Sequence, residues 1–190
     1  MSNIDGITDD VRSREEDYFR RKDRELIERM RQSAEAARLR EELATRTGIH
    51  DEASLRELEQ LGFTIDTCAL LPLIPLLQVA WADTTVTVAE RDAIVAYART
   101  RGIDPGTAAD VQLAFWLDQR PSEETFRKST RLISAMIDHQ GTAAEPITAA
   151  DLIARCEAIA TASGGLFGVG AVSTAERAAL HDIAARLRQS

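Results

Sequence analysis

From Asp9 to about Arg46 the chain has neither glycine nor proline, and 21 of the 34 residues between Asp9 and Glu42 are charged. Phe19, Leu26, Met30, Ala37 and Ala44 fall at steps of 7, 4, 7 and 7 within that stretch. This spacing is a narrow apolar seam of the coiled-coil kind rather than a broad core-facing surface. Asp23, Ser33 and Glu41 interrupt it. Acid-before-base pairs four residues apart, such as Glu16–Arg20, Asp17–Arg21 and Glu25–Arg29, each support a helix by ~0.2–0.5 kcal/mol. The pattern predicts one long charged helix over 9–47, preceded by a patternless, loose segment 1–8.

After Gly48, which is placed to stop that helix, the pattern changes to shorter apolar repeats separated by capping and breaking residues. Asp51 caps a helix carrying Leu55, Leu58 and Leu61 and ending at Gly62. Asp66 caps a third, an apolar run through Trp81 that Pro72 and Pro75 loosen in its first half. A fourth starts after Thr87 and stops at Gly102. Asp104-Pro105 opens a fifth with Val111, Leu113, Phe115, Trp116 and Leu117. Pro121-Ser122 opens a sixth with Phe126, Leu132, Ile133, Met136 and Ile137. Thr148 caps a seventh with Leu152, Ile153, Cys156 and Ile159, and an eighth begins at Thr174 after a Gly-rich loop, 163–172. No stretch of strand length alternates convincingly. The expectation is an all-α fold: a bundle of about seven short helices over 48–190, in two related halves, behind one long charged helix.

The two halves are suggested by a repeated phrase. Val86 to Arg91 reads VTVAER and Val172 to Arg177 reads VSTAER, 86 residues apart. Ile94, Tyr97 and Ala98 then align with Leu180, Ile183 and Ala184. Thr87-x-x-Glu90 and Ser173-x-x-Glu176 are capping boxes, in which the hydroxyl accepts from the amide three residues on and the glutamate reaches back to the cap amide. A carboxylate at a helix start is also favoured by the macrodipole. Capping alone accounts for both glutamates. A sharper reading has Asp83 and Glu90 hold a divalent cation across the turn, with Thr84, Thr85 and backbone carbonyls as further oxygen ligands. The calcium-loop pattern is absent, and Val169 stands in the second copy where Asp83 stands in the first.

Composition narrows the function classes. The net charge is −8. Segment 1–47 carries 11 basic and 12 acidic residues, whereas 48–190 carries 12 and 19. An acidic bundle without a basic stripe argues against nucleic acid and anionic membranes as partners. The longest apolar run, Thr67 to Ala82, is 16 residues and contains Pro72, Pro75 and Gln78. It falls short of the ~20 residues that span a bilayer. The start MSNIDGITDD lacks a basic region and an apolar core, so no secretory signal is expected. Cys68 and Cys156 read as separate buried thiols, which suits a cytoplasmic protein. His50, His139 and His181 each stand alone, and no nucleophile–base–orienter set is legible. No enzyme activity, catalytic residue or resident cofactor is expected beyond the divalent-cation alternative.

The residues Val79-Ala80-Trp81-Ala82-Asp83-Thr84-Thr85-Val86-Thr87-Val88-Ala89-Glu90-Arg91, with Ile94 and Gly102-Ile103 after them, resemble the tellurite-resistance TerB-like domain. Gly164-Gly165-Leu166-Phe167-Gly168 through Glu176 is similar to the C-terminal counterpart found in some members. The resemblance covers roughly 49–190. It implies a helical bundle of two related halves and association with stress responses, membrane-proximal complexes or chaperone systems. The family has glycine where Thr84 stands here, so a different turn is expected, since positive φ suits glycine better. The resulting expectation is a non-enzymatic interaction module that docks to a protein partner or a second copy through Phe19, Leu26 and Met30. Leu166 and Phe167 either tuck into the core or add an apolar contact. Packing of the charged helix on its own bundle or on another chain are both open at this level, because an isolated helix normally needs packing to persist.

Overall fold

The computed structural model describes residues 4–139, 147–162 and 172–188, with side chains from Tyr18 onward, His139 excepted. All its regular elements are helical, and no strand occurs among the described residues. The chain divides into two compact units, 1–41 and 42–190.

The first unit belongs to α1, which runs Ile4–Thr47. It begins five residues before the expected Asp9, because extending a formed helix adds one hydrogen bond per residue at little further entropic loss. Between Tyr18 and Glu41 no residue is buried. The contacts there are local. Lys22 pairs with Glu25 at 3.2 Å, Arg29 with Glu25 at 4.0 Å, and Gln32 donates to Glu28 at 3.1 Å. Such exposed pairs contribute a few tenths of a kcal/mol each.

In the second unit the last turn of α1 is buried: Leu43, Ala44 and Thr47 are all in or against the core. Gly48 ends the helix as expected. It takes φ +72° and its amide bonds the Ala44 carbonyl at 2.8 Å, a left-handed cap that costs glycine least. α2 (Glu52–Gln60) is capped by Asp51, whose side chain accepts from the Ser54 amide. Its Glu57 is buried and paired with Arg131 and Lys128 of α6 (Glu123–His139).

The apolar run divides. Cys68–Leu73 is a 3₁₀ segment and α3 is only Ile74–Ala80. Pro72 lies inside the 3₁₀ segment. Missing amide donors at Pro72 and Pro75 weaken an α ladder across this stretch, and the tighter turn accommodates them. Asp66 is not the cap. The segment opens from a Thr64–Thr67 turn in which the Thr67 hydroxyl accepts from the Thr64 amide at 2.8 Å. Leu70, Leu71, Leu73, Ile74, Leu76, Leu77 and Val79 are fully enclosed, so this stretch is the centre of the core.

α4 is Val88–Thr100. α5 is Ala108–Asp118, later than expected. Gly106 at φ +80° breaks a helix begun at Asp104-Pro105, and Thr107 caps instead, accepting from the Asp110 amide. Arg99 bonds both the Ile103 carbonyl and Asp110, which also accepts from the Gly106 amide. The Gly106 amide and Arg99 together hold the Asp110 carboxyl below the ordinary range. α7 (Ala149–Ala162) is capped by Thr148, and α8 is Thr174–Leu187.

The helices that precede and carry the repeated phrase pack together in related pairs. α3 contacts α4 and α7 contacts α8. α3 meets α7, α4 meets α7, and α3 meets α8. Among these four helices, exchanging α3 with α7 and α4 with α8 leaves the contacts unchanged, whereas α6 breaks the exchange by packing on α3 and α8 but not comparably on α7 and α4.

Candidate functional site

Both capping boxes form. The Thr87 hydroxyl accepts from the Glu90 amide at 3.3 Å, and the Glu90 carboxylate accepts from the Thr87 amide and the Thr87 hydroxyl, each at 2.7 Å. In the second copy the Ser173 hydroxyl accepts from the Glu176 amide at 3.0 Å, and Glu176 accepts from the Ser173 amide at 2.6 Å. The hydroxyl proton differs in destination. Thr87 gives it to its own box, whereas Ser173 gives it to the Asp83 carboxylate at 2.9 Å, across 90 residues of sequence. The α3–α4 turn is thereby tied to the start of α8.

Glu90 and Glu176 are both 2% exposed. Burial pushes the Glu90 carboxyl above its ordinary value, opposed by the two Thr87 hydrogen bonds and reinforced by the nearby charges of Glu176 and Asp83. The arrangement thus gathers carboxylates from both halves. Among the described residues no group of three His, Cys, Asp or Glu side chains is arranged to hold an ion. One oxygen of Glu90 accepts both Thr87 hydrogen bonds, and one oxygen of Asp83 accepts from Ser173.

The turn between α3 and α4 is left-handed at its threonine. Thr84 has φ +70°, and its amide bonds the Trp81 carbonyl at 3.1 Å. A β-branched residue in the left-handed region is a genuine outlier. The hydrogen bonds at both ends of the turn hold it there.

The large apolar side chains of the arm are exposed. Phe19 is 62% exposed, Leu26 55% and Met30 63%, joined by Tyr18, Ile27 and Leu39. The seam reading did not include Tyr18, Ile27 and Leu39. Ile27 was legible in principle, since it sits one position beyond Leu26 on the same flank of the helix. Ala44, the last seam position, is buried in the bundle. Leu166 and Phe167 lie outside the described residues.

On the bundle, Val88, Val111 and Phe115 are exposed although they belong to apolar sequence. Val111 and Phe115 share the outward face of α5, one turn apart. The expected core helix therefore buries only Ala109, Leu113 and Leu117 fully. Trp81 and Trp116 are partly buried against the core. The Trp81 indole donates to the Trp116 carbonyl at 2.8 Å, and Trp116 meets Phe63 edge-on.

The remaining chemistry-bearing side chains are quiet. Cys68 and Cys156 are buried free thiols. Burial raises both, Cys156 to about 12, so neither is an activated thiolate at neutral pH. His50 and His181 are exposed. A cavity of about 310 Å³ adjoins Arg46 and Arg101, beside Cys68, Pro72 and Met136, at the small end for ligand pockets. No helix among the described residues is long and apolar enough to cross a membrane. No protein-family model, curated protein or solved structure matches this chain.

Proposed function

We propose that this chain is a non-enzymatic, TerB-like interaction module of a cytoplasmic stress-response system, whose bundle is a rigid body and whose N-terminal helix docks to a protein. The supporting observation is the exposed apolar face of α1: Phe19, Leu26 and Met30 on a helix that buries nothing between Tyr18 and Glu41. Hydrophobic side chains presented together on a polar helix mark association surfaces, and grooves and partner helices read such faces at three- and four-residue spacing. The TerB-like part of the reading rests on the residues from Val79 to Ile103 and on the paired caps.

The test compares the full chain with Leu26→Glu. Association should be lost, whether measured by sedimentation or by co-purification from the native cell extract, while the thermal melt stays within a degree or two. Association unchanged by Leu26→Glu removes the arm from the proposal. The second reading, a divalent cation at Asp83 and Glu90, has the gathering of Asp83, Glu90 and Glu176 in its favour and, against it, the hydrogen bonds that one oxygen of Glu90 and one of Asp83 already accept. Calcium or manganese added to the full chain is expected to leave the melting temperature unchanged. A rise abolished by Asp83→Ala would establish that reading instead.

A further inference from the structure

We propose that the arm's occupant is the arm of a second copy, running antiparallel to it over positions 16–40; this rests on the docking role argued above. The register follows from the seam. Phe19 and Leu26 are d positions, and Asp23, Met30 and Ala37 are a positions. In an antiparallel pair each a layer meets a d layer. Centring the pair on position 28 sets Leu26 against Met30 of the other copy, Phe19 against Ala37, and Asp23 against Ser33.

Size and charge complementarity choose this arrangement. The largest side chain meets a small one, and the two mid-sized ones meet each other, so every apolar layer has similar volume. Arg40 falls level with position 16, where the sequence has glutamate, at both ends of the overlap. Ile27, exposed on the single helix, lies beside its own copy at the two-fold axis. On the opposite flank Arg29 approaches its copy, and its own Glu25 lies 4.0 Å away to offset the repulsion.

The alternatives fail on stated residues. A parallel in-register pair places Asp23 against Asp23 inside the seam, where like charges oppose pairing. Sliding the antiparallel pair one heptad toward the bundle requires Ala44 to face Phe19, but Ala44 is 8% exposed, already enclosed in the bundle. The overlap of some 25 residues is about 37 Å long, and a two-fold pair uses the same face on both copies.

Cross-linking tests the register on the full chain. The native thiols are buried, so Asp23→Cys and Ser33→Cys supply the reactive pair. Under mild oxidation, mixing the two variants should give a disulfide-linked dimer of twice 20.9 kDa, and each variant alone should give at least tenfold less. Sedimentation should show a dimer that Leu26→Glu converts to monomer. Efficient cross-linking of each variant with itself would overturn the antiparallel register. A monomeric full chain that still retains a co-purifying protein in a Leu26-dependent manner would overturn self-pairing while leaving the docking role standing. A dimer indifferent to Leu26→Glu would overturn both.

Discussion

The two capped turns share one motif and differ in a single proton. At the start of α4 the Thr87 hydroxyl closes on Glu90 of its own box. At the start of α8 the Ser173 hydroxyl reaches Asp83 of the other half. The sequence pattern needed to start a helix is satisfied in both cases, yet only the second box joins parts of the chain that are far apart. A local device becomes a tertiary one because the pairing of α3 with α8 and α4 with α7 brings both caps to one end of the bundle.

The largest effect that separates the boxes comes from deleting their buried glutamates. Glu90→Ala and Glu176→Ala each leave a cap amide without its acceptor and should destabilise the fold by about 1–3 kcal/mol in urea titrations. Glu90→Gln keeps an acceptor of the kind a capping box uses and should be near neutral at pH 7. The same variant isolates the pH response. Glu90 titrates above its unfolded value of 4.5 because of burial and neighbouring charge, so between those two values the folded state holds a proton that the unfolded chain has released. The stability contribution is therefore fully present below the unfolded value and is lost as pH rises through the folded one. Glu90→Gln should remove this part of the pH dependence. An unchanged profile in Glu90→Gln would show that another group carries it.

A smaller effect tests the bridge itself. In double-mutant cycles Asp83 and Ser173 should couple by about 0.5–1 kcal/mol, whereas Asp83 and Thr87 should be additive within error. Equal coupling would mean that the two hydroxyls are interchangeable. The smallest expected change concerns the turn that carries Asp83. Thr84→Gly relieves the left-handed threonine, worth ~1–2 kcal/mol, and gives back ~0.5–1 kcal/mol through a freer unfolded chain. A net gain of about 0.5 kcal/mol should appear as a slightly higher denaturation midpoint. A loss would mean that the threonine side chain contributes more than its backbone strain costs.

Much of this was legible in the sequence because it is local chemistry. Hydroxyl and carboxylate spacing located the caps at Asp51, Thr87, Thr148 and Ser173, and Gly48 marked the end of the long helix. Two starts were misplaced where competing local signals coexist. At Asp104-Pro105 a good N-terminal dipeptide is followed by Gly106, whose left-handed backbone delays the helix to Thr107. At Asp66 the neighbouring Thr64–Thr67 turn supplies the hydrogen bonds instead. The repeat was also only partly what its alignment suggested. α4 buries Glu90, Ile94 and Ala98, but α8 buries Glu176, Ile183 and Leu187. Beyond the cap, the buried positions of α8 lie three residues further along than the alignment places them, a turn of the inward face by about 60°, because each helix meets different neighbours. The Asp83–Ser173 bond was not legible, since hydrogen bonding across 90 residues depends on the relative placement of helices that no local spacing encodes.

The central position of α3 against α7 has a kinetic side. These helices are joined through three others, so their contact closes a loop of about seventy residues, and the entropy of closure grows with the logarithm of loop length. Individual helices of this size form within microseconds, whereas the core must wait for that closure. Truncations at Leu77 or Ile159, on the two helices that close this loop, should therefore slow refolding more than equal loss of stability at Leu117, buried on α5, where the change should appear chiefly as faster unfolding.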